Sequence, residues 1–111
     1  MKVSDIITGC DLKVICQSDL SRQITGVYAG DLLSWVMSHA NNNECWITIM
    51  SNTNVLAVAS LLDLSCVIIS ENVKPDEEFI SIAKQKEINV LSSDKSTYEL
   101  CALLSKALEN E

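Results

Sequence analysis

"CWITIMSNTNVLAVASLLDLSCVIIS", residues 45–70, decides the fold. It opens on a short apolar run, 45–50, rich in strand formers. Four polar residues follow, Ser51, Asn52, Thr53 and Asn54, each able to cap a helix start. The next ten residues, "VLAVASLLDL", are apolar nearly all round, which predicts a buried helix. Ala57, Ala59 and Ser60 are small enough to let it lie close to a sheet. "CVIIS", 66–70, is a continuous apolar run, as expected of a strand covered on both faces. Strand, helix and strand with short connections predict a parallel pair joined by a right-handed crossover.

The same alternation continues outward. Downstream, Pro75 starts a helix whose first turn holds Asp76, Glu77 and Glu78, acids that suit the positive end of its dipole. Phe79, Ile80 and Ala83 form its inner stripe. "INVLS", 88–92, reads as a strand. Ser96 and Glu99 have capping-box spacing and open a last helix carrying Leu100, Cys101, Leu104 and Leu108. Upstream, "KVSDIITG" reads as a short helix ended by Gly9. "LKVICQ" alternates as a strand does, and "ITGVYA" reads as a second strand interrupted by Gly26. Leu32, Leu33, Val36, Met37 and Ala40 then recur at helical spacing. Asp31 stands at that helix start, where a carboxylate accepts from free backbone N–H groups. The expectation is an α/β fold, one domain over residues 1–111, with a mostly parallel sheet of four to five strands flanked by helices.

Composition narrows the function. The chain has 111 residues and a net charge of −7, which argues against nucleic acid or an anionic membrane as partner. No apolar run approaches the ~20 residues that span a bilayer. The N-terminus carries one lysine, and Asp5 interrupts its apolar part, so it does not read as a secretion signal. The five cysteines, Cys10, Cys16, Cys45, Cys66 and Cys101, include no CxxC pair. They read as buried reduced thiols of a cytoplasmic protein, not as zinc ligands.

The sequence holds no recognisable catalytic pattern. There is no GxxxxGK[ST] phosphate loop, no GxGxxG and no GxSxG elbow. His39 is the only histidine, so no Ser-His-Asp or Cys-His set has a second choice of base. The expectation is no catalytic residue, no metal and no cofactor. Candidate ligand residues come instead from topology, because ligands of parallel sheets collect beyond the carboxyl ends of the strands. Ser51, Asn52, Thr53 and Asn54 fall there, as do Ser70 and Ser92 at the ends of the next two strands. The stretch "SRQITGVYAGDLLSWVM", 21–37, is a second candidate through Thr25, Gly26 and Asp31. It reads mainly as a turn between strand and helix, with amides that could also meet a ligand. These polar corners are expected to gather along one rim. Trp35 and Trp46 read as core or interface aromatics.

Those segments also carry a resemblance. "SRQITGVYAGDLLSWVM", "CWITIM", "NVLAVASLLDLSCVIISENVKPDEE" and "INVLSSDKSTYEL" resemble the DRTGG domain family over nearly the whole chain. The naming motif falls on residues 21–27. Arg22, Thr25 and Gly26 agree with it. Ser21 replaces the expected aspartate, and Val27 the second glycine, so the backbone at Val27 is expected to be extended. The family is similar to the N-terminal domain of HPr kinase/phosphorylase. That resemblance implies an α/β domain without the kinase active site. It also implies a regulatory or dimer-forming role, since such domains occur inside CBS-containing pyrophosphatases and some phosphate acetyltransferases. The reading is therefore a non-catalytic regulatory or interaction module acting as a homodimer, with a protein partner of unknown identity. The alternative is a sensor domain that binds a nucleotide or phosphorylated metabolite.

Overall fold

The computed structural model describes residues 1–110. Its elements are α1 (Val3–Gly9), β1 (Lys13–Cys16), β2 (Gly26–Ala29), α2 (Leu33–His39), β3 (Glu44–Thr48), α3 (Asn54–Leu62), β4 (Cys66–Ile69), α4 (Glu77–Gln85), β5 (Val90–Ser92) and α5 (Thr97–Glu109). The strands form one sheet in the order β1-β5-β4-β3-β2. The run from β2 to β5 is parallel throughout, and β1 closes the far edge antiparallel to β5. The expected mostly parallel five-stranded sheet is present.

Strand periodicity sorts the core into two layers. Trp46, Val67, Ile69 and Val90 point to one face and bury Val36, Val55, Leu56, Phe79 and Ala83 of α2, α3 and α4. Cys45, Ile47, Cys66, Ile68 and Leu91 point to the other, against Val3 and Ile6 of α1 and Leu100 and Leu104 of α5. Every residue of β4 is buried, which is why its sequence is apolar without alternation. The helix read as apolar all round is covered on only one side: Leu61 is 69% exposed.

The caps refine several boundaries. Ser96 and Glu99 form the capping box that opens α5. Asp76, not Pro75, caps α4, its carboxylate accepting from the Phe79 N–H at 2.9 Å. Gly9 is the last residue of α1 but has no positive φ; the left-handed residue beyond that helix is Asp11, at φ 53°. Val27 lies in β2 without positive φ, so extended backbone accommodates its branched side chain. Asn89, just before β5, is buried and fully engaged. Its amide donates to the carbonyls of Asp19 (2.8 Å) and Ser65 (3.1 Å), and its Oδ1 accepts from the Ser18 N–H (2.7 Å).

Candidate functional site: two rims of one sheet

Parallel strands give the sheet an amino rim and a carboxyl rim, and the candidate residues divide between them. Thr25 and Gly26 lie on the amino rim, where Gly26 pairs with Glu44 at the start of β3. Asp31, Ser51, Asn52, Thr53, Asn54, Ser70 and Ser92 lie on or beside the carboxyl rim. The expectation that all would gather along one rim is therefore corrected. The cause is simple: the 21–26 stretch enters β2, and Asp31 follows its end.

On the amino rim the motif segment is a brace. The Arg22 guanidinium donates to the carbonyls of Leu64 (3.0 Å) and Asp63 (2.9 Å) and to Asn43 Oδ1 (2.9 Å). It also lies 3.1 Å from the Asp63 carboxylate. Asp63 is the left-handed residue that ends α3, at φ 54°. Helix C-termini present unsatisfied carbonyls and negative partial charge, so a planar cation with several donors suits this place. The Thr25 N–H donates to the Asn43 carbonyl at 3.0 Å, and the Ser65 hydroxyl donates to the Gln23 carbonyl. A side chain at Gly26 would meet the Glu44 carboxylate at 2.8 Å, a contact that the flexible Glu44 side chain could relieve by shifting.

On the carboxyl rim most candidate groups are spent on their neighbours. Asp31 does not cap α2, whose N-cap is Leu32 without a side-chain bond. Its Oδ1 reaches across to β3, accepting from the Thr48 hydroxyl (2.7 Å) and the Ile49 N–H (3.0 Å). Asn52 closes a local turn, accepting from the Asn54 N–H at 3.0 Å, and Thr53 makes no side-chain cap to α3. Ser70 is buried, with its hydroxyl 2.6 Å from that of Thr97.

The exception is the place where β4 and β5 end. α4 leaves β4 toward one face of the sheet, and α5 leaves β5 toward the other. The two connections run to opposite faces from neighbouring strands, which makes this a topological switch point, and a crevice lies beside it. The crevice has a volume of about 440 Å³. Its walls are Lys13 and Ile15 of β1, the loop 72–75, and the turn 92–94, with Asp11 at the margin. The loops after β4 and β5 are joined to each other by the Glu71 N–H, which donates to the Lys95 carbonyl (2.8 Å), and the Asn72 N–H, which donates to the Ser93 carbonyl (2.9 Å). Glu71 and Asn72 both hold positive φ. Of the candidate ligand residues Thr25, Gly26, Asp31, Ser51, Asn52, Thr53, Asn54, Ser70 and Ser92, only Ser92 lines this crevice; Ser93, the serine beside it at the end of that strand, lines it too. Lys13, Asn72 and Lys74 were not singled out, because no local pattern shows that β1 lies beside β5.

At the β2 edge an apolar surface stays open. Leu32 is 61% exposed, Trp35 56% and Ile49 44%. The Trp35 ring stacks on His39 with centroids 4.7 Å apart, and His39 faces Tyr28 of β2 at 6.3 Å. Trp46, by contrast, is fully buried, its indole N–H donating to the Gly30 carbonyl at 2.8 Å.

The five cysteines are free thiols, and Cys10, Cys16, Cys45 and Cys66 are buried. Cys45 and Cys66 stand opposite each other on β3 and β4. A hydrogen bond with Cys66, and then burial, hold the Cys45 thiol well above the ordinary thiol range. Among the described residues no group of three or more His, Cys, Asp and Glu is placed to hold a metal ion. Among them, too, no helix is long and apolar enough to cross a membrane.

The family described as "HPr Serine kinase N terminus" matches residues 48–108. That is more than half of the chain, and the chain belongs to this family. The match begins beyond the motif segment at 21–27 and takes in the carboxyl-rim loops after β3, β4 and β5. No curated protein matches the sequence. Among solved structures, the chain is similar to the CBS and DRTGG domains of the regulatory region of a Clostridium perfringens pyrophosphatase, complexed with the activator diadenosine tetraphosphate. The TM-score is 0.72 at 14% sequence identity, over 93% of this chain and 45% of that one. The chain thus spans less than half of that structure, and at this identity the likeness concerns the fold.

Proposed function

We propose that the chain is a non-catalytic regulatory or interaction module that works as a homodimer. The observation carrying this reading is the open surface beside β2. Leu32, Trp35 and Ile49 are exposed together, next to a free strand edge. The two edges of the sheet differ in kind. β1 carries Lys13 and a register irregularity between Val14 and Cys16, both devices that discourage pairing with another chain. β2, "GVYA", has no charge and no proline. A second copy can lie antiparallel along β2 about a two-fold axis, each Trp35 covering the partner's apolar face. The pyrophosphatase domain with this fold sits in a regulatory region, which supports a controlling role here. The unbridged cysteines suit a reducing compartment, so the proposed location is the cytoplasm.

Sedimentation velocity over a concentration series tests the reading. The expected result is a dimer, with Trp35→Glu monomeric at the same concentrations. A chain that stays monomeric throughout contradicts it. A second reading, binding of a nucleotide or phosphorylated metabolite, is favoured by the crevice at the ends of β4 and β5.

A further inference from the structure

We infer that the crevice between β1 and the loops after β4 and β5 is a binding site for a nucleoside monophosphate. This inference rests on the ligand-binding reading and assigns it a place and a chemical class.

Four features carry it. The crevice lies beyond the carboxyl ends of two neighbouring parallel strands whose following helices lie on opposite faces, the location that topology favours for ligands in such sheets. Its volume of about 440 Å³ falls within the range of small-molecule sites. Lys13 of β1 and Lys74 of the loop after β4 both line it, and neither has an ion-pair partner among the described residues. Ile15, Val73 and Pro75 add apolar side chains to its lining.

The chemistry of the lining selects the ligand. Two free ammonium groups suit one phosphate group, as point-charge donors. Asp11 and Asp94 balance the two lysines, so the lining as a whole is close to neutral. A carboxylate in the lining can accept from hydroxyls, as acidic residues do from ribose in nucleotide-binding sheets. It also disfavours a polyphosphate, as does the chain's net charge of −7. The apolar side chains of Ile15, Val73 and Pro75 suit the faces of a base. One phosphate, a diol and a planar ring describe a nucleoside monophosphate. Ser92 and Ser93 add hydroxyl groups to the same lining.

Isothermal titration with AMP, GMP, ATP and inorganic phosphate, joined to amide chemical-shift mapping, tests the inference. The expected result is saturable binding of AMP or GMP, with the largest shifts at Asn72, Lys74, Ser93 and Asp94. Lys13→Ala and Lys74→Ala should each weaken it about tenfold. Both lysines are exposed and unpaired, so both variants should keep the parent melting temperature. A nucleotide that binds but maps to the β2 edge or to the amino rim overturns the crevice assignment and leaves the ligand-binding reading standing. If no probe binds, both fall. Inorganic phosphate binding as tightly as AMP, or ATP binding more tightly than AMP, overturns the ligand class.

Discussion

Replacing Arg22 by alanine should cost the fold far more than an ordinary surface substitution. The guanidinium makes three hydrogen bonds, to the Leu64 and Asp63 carbonyls and to Asn43 Oδ1, all at 2.9–3.0 Å. It also pairs with the Asp63 carboxylate, but that side chain is 70% exposed against 25% for Arg22. Solvent screening reduces such a pair to a few tenths of a kcal/mol. The three hydrogen bonds contribute roughly 1 kcal/mol each at partly exposed sites, and two of the acceptors are carbonyls at the end of α3. The expected loss is therefore about 2–3 kcal/mol, which lowers the melting temperature by about 10 °C in a domain of this size. Urea unfolding followed by far-ultraviolet circular dichroism gives the free energy directly. Arg22→Lys should recover less than half of the loss, because one ammonium cannot serve three acceptors in the geometry of a planar fork. A cost within about 0.5 kcal/mol for Arg22→Ala, the usual range for an indifferent surface site, refutes the brace.

Other predictions follow from single contacts. Asp31→Ala removes the acceptor for the Thr48 hydroxyl and the Ile49 N–H, and should cost about 1–2 kcal/mol in urea unfolding; an unchanged midpoint contradicts the cross-strand role. Asn89→Leu strands two carbonyls and one N–H in or near the core, and a loss of about 3 kcal/mol is expected by the same measurement. The Ser21 hydroxyl and backbone N–H, with a smaller contribution from Arg22, hold the Asp19 carboxyl below its usual range. Ser21→Ala should therefore move the Asp19 midpoint upward in an NMR titration. A depressed carboxylate favours the native state above its unfolded-state pKa and loses that contribution as pH falls through the native one, so the variant should show the weaker dependence below pH 4 or so. With a thiol reagent at about pH 8, Cys101 should label first, because Cys10, Cys16, Cys45 and Cys66 are buried; equal rates for Cys45 contradict the packing.

Where one element's own residues decide its structure, the sequence is easy to read. The β3-α3-β4 unit is legible because an unbroken apolar strand and a capped helix are local patterns. Ser96 with Glu99 is legible for the same reason. Asp31 misleads, because its position before a helix fits a cap as well as it fits the observed bond to Thr48, 17 residues away. The crevice is invisible for a related reason. β1 pairs with β5 across most of the chain, and nothing near Lys13 in sequence announces Ser92 as its neighbour. Thr25 and Asn52 both sit in polar loops, which is all that local sequence shows of them. The direction of β2 sends them to opposite rims.

The association reading has a direct test in amide hydrogen exchange measured across a concentration series. Protection should rise with concentration along β2 and the Leu32–Trp35 flank of α2, while β1 stays unchanged. Exchange that is independent of concentration at β2, or a rise confined to the β1 edge, contradicts the account.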